Sequence, residues 1–310
     1  MVPETEVARE WTFEDLCLEV YCVVDEVWGA IAPSTRRPGP APRCSDPELV
    51  TMALVGEAKG WDQETVLLSE WQQRRDLFPH QPSRTRFNRR RRQLQGAINE
   101  VRRLVLRRLD LATDRLCVID SLPVPVIAFH LVPMANRADW QAYEARFGRV
   151  PSKKCTIFGY KLYLLVTVSG VIIDFLLAPA NVGELQAGEE LLTKHTDLAT
   201  LGDKAFISQA VAVRLREENR VHLLTLPRRN ALQQVPKPVR HLLNGARQVI
   251  ETVNSQLTEQ FGIEVNHAQS FWGLTARLVT KLTAHTLCVY LNRRLGLPHA
   301  LQIKHLAFPI

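Results

Sequence analysis

The sequence predicts an α/β domain built on a mixed β-sheet and preceded by an α-helical region. Two observations carry this expectation. From about residue 11 to residue 110 apolar residues recur with helical spacing, and after residue 113 short β-branched runs alternate with helical segments. We therefore divide the chain into a helical region, 1–112, and an α/β domain, 113–310.

The helical region contains a well-marked helix start in "CSDPELVTMALVGEAKGW". Ser45 or Asp46 is suited to cap the helix, Pro47 fits its first turn, and Glu48 supplies early negative charge. A proline-rich linker, "APSTRRPGPAPR", precedes it.

Strands and helices alternate in the second region. The strands are expected at about 115–120, 158–168, 171–178, 199–203 and 221–226, and the helices at about 184–196, 206–218, 239–260 and 272–295. Ser169 and Gly170 separate two of the strands, which predicts a tight hairpin. An antiparallel hairpin beside strands separated by helices implies a mixed sheet.

Composition describes an ordinary globular chain with excess positive charge. The formal net charge of +7 favours a polyanionic partner. The six cysteines form no CxxC pair and no zinc-like array with histidine, so a reduced, cytoplasmic protein is expected. We see no secretion signal, no membrane span, no Walker A loop and no dinucleotide-binding glycine motif.

Arginines are concentrated in "SRTRFNRRRRQL" and the helix after it. Those singled out as candidate DNA contacts are Arg84, Arg86, Arg89, Arg90, Arg91 and Arg92. Any one of them fits a solvated helix face equally well. Together, with few acids among them, they favour phosphate binding, although the sequence does not separate base contacts from backbone contacts.

Three acids are placed where a metal site is plausible. Asp120 and Asp203 each end a predicted strand, and ligands of open α/β sheets gather at such ends. Glu251 lies inside the helix that follows the last strand, one turn after Arg247. Carboxylates suit Mg²⁺ or Mn²⁺, and two such ions about 3.5–4 Å apart support phosphoryl displacement. Taken singly, each aspartate is more often a turn or cap residue, and Glu251 is more often the ion-pair partner of Arg247; only the combination favours a metal site.

Several motifs in the right order resemble the DDE transposases of bacterial insertion sequences, and most closely the group named for insertion sequence nine-eight-two. These motifs are "VIDSLPVPV", "GYKL", "LGDKAF" and "RQVIETVNSQL", with "CSDPELVTMALVGE" and "LFPHQPSRTRFNRRRRQL" upstream. The resemblance covers about residues 44–295.

The resemblance implies an RNase H-like catalytic domain with Asp120, Asp203 and Glu251 as the metal-binding and catalytic triad. It further implies two Mg²⁺ or Mn²⁺ ions, cleavage at terminal inverted repeats, and strand transfer into target DNA. Related groups carry a Tyr, Arg, Glu and Lys signature around the glutamate. The matching positions here are Asn244, Arg247, Glu251 and Thr258, so only the arginine and the glutamate are shared.

Other residues are weaker candidates for DNA contact. They are Lys153, Lys154, Lys161, Lys204 and Arg247, each of which also fits an ordinary surface or ion-pair role. A homodimer is expected because two element ends must be brought together. Two alternatives remain open: an inactive or repurposed DNA-binding protein, and an RNase H-like nuclease with another substrate.

Overall fold

The computed structural model describes residues 12–35, 38–111, 114–225 and 237–307. The predicted boundary between residues 112 and 113, and residue 226 of the last predicted strand, lie outside these ranges. The helices are α1 (Phe13–Thr35), α2 (Asp46–Ala58), α3 (Glu64–Gln72), α4 (Arg84–Gln93), α5 (Gln95–Arg108), α6 (Ala138–Ala142), α7 (Glu184–Leu192), α8 (Gln209–Asn219), α9 (Lys237–Glu259), α10 (Phe271–Arg294) and α11 (Lys304–Ala307). The strands are β1 (Leu116–Ile127), β2 (Arg146–Val150), β3 (Cys155–Thr167), β4 (Ile172–Pro179), β5 (Ala199–Gly202) and β6 (His222–Thr225).

The expected start of α2 is confirmed, and Ser45 is its N-cap. The Ser45 hydroxyl accepts a hydrogen bond from the Glu48 backbone N–H, and the Glu48 carboxylate accepts one from the Ser45 N–H. This reciprocal pair satisfies two of the donors that a helix start leaves open. α2 is buried along almost its whole length and forms the centre of the helical core.

The described strands form one mixed sheet, as the sequence predicts. Its main order is β2-β3-β1-β5-β6, and β4 pairs with the part of β3 beyond β2. The pairs of β3 are antiparallel, whereas β1–β5 and β5–β6 are parallel. The β3–β4 connection turns at Gly170, which has a φ of 87°. Glycine adopts such a positive φ without the steric strain that a side chain would cause.

Alternate side chains of β1 and β3 enter two different cores. Val118 and Leu164 face α9 and the helical region, whereas Ile119, Tyr163 and Leu165 face α7 and α8. Such alternation is the period-2 geometry of a strand. The sheet therefore separates the arginine-rich helices from the α7–α8 layer.

α10 belongs by packing to the helical region rather than to the sheet. It lies against α5 and α2, and most of its residues are buried. Lys281 of α10 reaches the fully buried Glu57 of α2 with an Nζ–Oε2 distance of 2.7 Å. The predicted division at residue 112 marks the change from helices to sheet, but the helical core draws one of its helices from the second part.

The helices of the described residues include none that is long and apolar enough to cross a membrane.

Candidate active site

Asp120 lies in the middle of β1, not at the end of a strand as the sequence suggested. β1 continues through Pro123 and Pro125 to Ile127. Beyond Val118, β1 is paired only with β3, because the register with β5 covers residues 116–118 alone. A strand with one open edge tolerates proline, since part of its N–H groups need no partner. The open edge also leaves room beside Asp120.

Asp203 follows the last residue of β5, next to Asp120. Val118 pairs with Leu201 in the parallel register, so two residues further on Asp120 and Asp203 stand level. Asp203 caps a 3₁₀ turn at Lys204–Phe206, and its Oδ1 accepts the Ala205 N–H at 2.7 Å. The expectation that these two aspartates meet on neighbouring strands agrees with this placement.

The Asp120 carboxylate is half-buried among like charges. Burial raises its pKa to about 6, and the negative charges of Asp203 and Glu184 add to that rise. The Ser121 N–H, which donates to Asp120 Oδ1 at 2.8 Å, and the Arg247 charge oppose it. A carboxylate that is desolvated and repelled in this way is stabilised by an added cation.

α9 contributes a hydrogen-bond partner that the sequence did not single out. The Asn254 amide Nδ2 donates to Asp120 Oδ2 at 2.8 Å, and the Asn254 Oδ1 is buried without a partner. Apolar residues of α9, among them Ile250 and Val253, hold this side of the helix against the sheet. The only sequence signal was that Asn254 lies three residues after Glu251, on neighbouring faces of one helix.

Glu251 is exposed on the flank of α9 and does not contact Asp120. With Gln248, Ser255 and Lys304 it lines a depression of about 540 Å³. Within the described ranges, no three His, Cys, Asp or Glu side chains lie close enough together to hold a metal ion. The structure thus brings Asp120 and Asp203 together and leaves Glu251 one helical turn from Asn254.

The donor chemistry around Asp120 nevertheless fits a hard divalent cation. Asp120 and Asp203 offer carboxylate oxygens, and the unpartnered Asn254 Oδ1 offers a buried amide oxygen. Oxygen donors of this kind suit Mg²⁺ or Mn²⁺, and no thiol or imidazole is among them.

α7 fixes the turn that carries Asp203. Gly188 of α7 lies so close to Phe206 that a Cβ there would stand 2.4 Å from the ring, and Ile119 is the next neighbour at 3.5 Å. Phe206 itself is buried in the α7–α8 core. The absence of a side chain at Gly188 thereby lets the helix, the turn and β1 pack in direct contact.

The candidate lysines differ in their surroundings. Lys161 is 9% exposed, and its Nζ lies 3.4 Å from the carboxylate of Glu184 at the start of α7. Lys153 forms an ion pair with Glu264. Lys154 and Lys204 are exposed and make no ion pair with another described residue. Lys161 is thus linked to the carboxylate site through Glu184, whose charge acts on Asp120, and Lys204 directly follows Asp203 in the chain.

Two of the candidate DNA-binding arginines are internal. Arg90 is 6% exposed, with its Nε 2.8 Å from Asp46 Oδ1, and Arg91 is 2% exposed between Glu57 and Glu64. Buried cations of this kind are retained because their acids would otherwise be unpaired. Arg90 and Arg91 thus belong to the helical core, and their burial contradicts the expectation that they contact DNA. Of the others, Arg84, Arg86 and Arg89 are exposed and Arg92 is half-buried.

The comparisons with known proteins bear on the sheet and its acids. No curated protein and no solved structure matches the chain. A family model described as a transposase DDE domain matches residues 112–271, slightly more than half of the chain. The matched stretch contains β1 to α9 and all three acids, so the chain belongs to the DDE transposase domain family.

Proposed function

We propose that this protein is the transposase of an insertion sequence of the nine-eight-two group. In this proposal it binds the terminal inverted repeats of the element, cleaves DNA at their ends and transfers the freed strand to target DNA. The observation that carries the proposal is the placement of Asp120 and Asp203 side by side on parallel strands within the matched DDE domain. The proposed fold of this domain is RNase H-like.

Asp120, Asp203 and Glu251 are proposed to hold Mg²⁺ or Mn²⁺, two ions in all. Divalent ions in such a site lower the pKa of a bound water or hydroxyl and stabilise the leaving oxygen of an in-line displacement. The repelled carboxylates and the unpartnered Asn254 Oδ1 support this assignment. Glu251 lies on the same helix, α9, about one turn before Asn254.

The remaining residues are proposed to bind and orient DNA. Arg247 is half-buried and close enough to Asp120 to lower its pKa, so its charge is available for a phosphate at the site. Lys153, Lys154, Lys161 and Lys204 are the other proposed contacts of the catalytic domain, and Arg84, Arg86, Arg89 and Arg92 those of the helical region. A homodimer would bring two element ends together.

The two alternatives differ from the proposal in what they do to DNA. A repurposed binding protein would hold the duplex and cut nothing. An RNase H-like nuclease would cut but would not join strands. No observation on the described residues favours either over transposition.

The test uses the purified chain and duplexes taken from the two flanks of its gene, with Mg²⁺, Mn²⁺ or EDTA. We expect metal-dependent cleavage at the element ends and joining of the products to a target plasmid. Asp203→Asn should lower the cleavage rate by more than about 100-fold, since removing a metal ligand costs several kcal/mol.

Asp197→Asn is the matched control. Asp197 is exposed, lies just before the other end of β5 and pairs with Arg220. Its substitution should leave cleavage unchanged. Binding without cleavage in either metal would contradict the proposal and support the repurposed binding protein, and cleavage without joining would support the nuclease.

A further inference from the structure

α4 is a ridge with an inward and an outward face. Phe87 and Leu94 pack into the helical core together with the paired Arg90 and Arg91, whereas Arg86 and Arg89 are exposed. The internal arginines use Asp46, Glu57 and Glu64. These three acids are therefore engaged with the inward-facing arginines.

A basic groove of about 1070 Å³ lies along one side of α4. Its arginines come from three separate segments: Arg43 from the linker before α2, Arg75 from the α3–α4 loop, and Arg86, Arg89 and the ion-paired Arg90 from α4. No acid lines it, and none of its exposed arginines forms an ion pair with another residue that the structure describes. Neither Arg43 nor Arg75 stood out in the sequence.

A second groove of about 600 Å³ lies on the other side of the same helix. Arg84, Arg89 and Arg92 line it from α4, and its opposite wall is formed by Gln269 and Ser270 before α10. Its one acid, Glu64, is already paired to Arg91 at 2.8 Å and to Arg277 at 3.1 Å. Arg89 lines both grooves and so stands at the crest between them.

These dimensions match those of duplex DNA. An α-helix with its side chains is about 10–12 Å across, and the major groove is about 12 Å wide with a phosphate backbone on each side. A cationic ridge between two basic grooves is complementary in shape and charge to that surface. An extended acidic peptide would fill only one of the two grooves.

We propose that α4 inserts into the major groove of the bound duplex, with one phosphate backbone in each flanking groove and Arg89 directed at the base edges. The inference rests on the proposed DNA binding and specifies its geometry. Arg43 and Arg75 serve one backbone, and Arg84 and Arg92 serve the other. Phosphate contacts set affinity and salt dependence, whereas a base contact sets sequence preference.

The experiment measures the affinity of the full chain for fluorescent duplexes from the two gene flanks, over a series of salt concentrations. Arg43→Gln and Arg75→Gln should each reduce the slope of log K against log salt by about 1, and weaken binding roughly eightfold at 0.1 M salt. Arg43→Lys and Arg75→Lys keep the charge and should keep most of the slope. Arg216→Gln on the exposed face of α8 is the matched control and should change neither quantity.

Arg89→Gln tests the base contact. Selection from a pool of randomised duplexes should show that this variant loses preference at one or two positions, while Arg43→Gln weakens all sequences alike. Equal affinities for Arg43→Gln, Arg75→Gln and Arg216→Gln would overturn the geometry, even if cleavage of the flank duplexes were normal. Failure of the native chain to bind any duplex would overturn both the geometry and the proposed function. Displacement of the labelled duplex by polyglutamate, but not by unlabelled duplex, would instead assign the grooves to an acidic protein.

Discussion

The side-chain amide of Asn254 donates a 2.8 Å hydrogen bond to Asp120 Oδ2, and this contact ties α9 to the central strand of the sheet. Asp120 accepts a second hydrogen bond from its neighbouring backbone N–H. Both donors favour the charged carboxylate, against the burial and repulsion that raise its pKa. Asn254 therefore has a measurable part in keeping Asp120 ionised near neutral pH.

Removal of the Asn254 amide should raise the pKa of Asp120 further. In Asn254→Leu the carboxylate loses a charge-assisted hydrogen bond of about 1.5–3 kcal/mol, which lowers its ionised fraction at pH 7, so cleavage should fall about two- to fifteenfold. NMR titration of the Asp120 carboxyl in the metal-free chain checks the pKa directly. Thr252→Ala, on the exposed side of α9, is the control and should leave the pKa and the rate as they are.

Asn254→Asp should act in opposite directions without and with metal. A further negative charge beside Asp120 should lower Tm in EDTA and increase the rise in Tm that Mn²⁺ produces, because a divalent cation then neutralises more repulsion. Thermal unfolding in EDTA and in Mn²⁺ measures both the Tm of the metal-free chain and the rise in Tm that Mn²⁺ produces. An unchanged Mn²⁺ response would show that Asn254 lies outside the cation site.

The half-buried Asp120 and the buried His285 should give opposite pH dependences of stability. Asp120 has a pKa of about 6, above its ordinary 3.8, so the native state binds the extra proton and stability falls as pH rises from about 4 to 6. His285 has a pKa lowered to about 4 by burial, so the unfolded state binds the proton below pH 6.5 and stability falls as pH drops from 6.5 to 4. Each effect amounts to roughly 3 kcal/mol.

Single substitutions separate the pH dependence caused by Asp120 from that caused by His285. The difference in unfolding free energy between Asp120→Asn and the native chain should grow in favour of the variant as pH rises from 4 to 7. For His285→Gln the difference should move in favour of the variant as pH falls over the same range. Urea unfolding in EDTA measures both, and parallel curves for variant and native chain would contradict the assignment.

Lys281 and Glu57 should be strongly coupled. Both are fully buried, so Lys281→Met leaves the Glu57 carboxylate with only the Arg91 guanidinium, whose Nη1 is 3.5 Å from Oε1. We expect Lys281→Met to cost about 3–5 kcal/mol and Lys281→Met with Glu57→Gln to cost less than the sum of the two single changes. A double-mutant cycle by urea unfolding tests this, and additive costs would show that the pair contributes no coupling.

Gly188→Ala should distort the turn that positions Asp203. The new methyl group would overlap the Phe206 ring, which must then shift with the turn that Asp203 caps. A loss of about 1–3 kcal/mol in stability and a clear fall in cleavage are expected. At Gly245 in α9 a Cβ meets nothing within 4 Å, so Gly245→Ala should instead stabilise the chain by about 0.5–1 kcal/mol. Thermal melting followed by circular dichroism compares the stability of Gly188→Ala with that of Gly245→Ala, and the cleavage assay compares their activity.

Much of the fold was predictable from local pattern. The mixed sheet, the hairpin and the helices α7 to α10 follow from periodicity, and their bounds agree with the prediction within a few residues at most ends. The sequence does not predict β2, because this strand has only five residues and Val150 is its one buried side chain. The sequence predicts that β1 ends at residue 120, because proline usually stops a strand. Prolines are tolerated further along β1 because this part of the strand pairs only with β3 and has one open edge.

The site was predictable in part. Asp120 and Asp203 could be paired because topology places the ends of parallel strands together. The side of α9 that meets the sheet could not be read from the sequence, so Asn254 was passed over and Glu251 was expected beside Asp120. Arg90 and Arg91 look the same as Arg86 and Arg89 in the sequence, and only the helix face that turns inward distinguishes them.

The packing of α10 on α2 and α5 has a consequence during synthesis on the ribosome. The helix that completes the core beneath the arginine ridge is synthesised after the two helices that it covers, α2 and α5. A nascent or prematurely terminated chain that ends before Phe271 would expose the apolar surfaces of α2 and α5. It would also leave the Glu57 carboxylate without its ion-pair partner Lys281. Such fragments would be open to proteolysis, because their helical core would be incomplete.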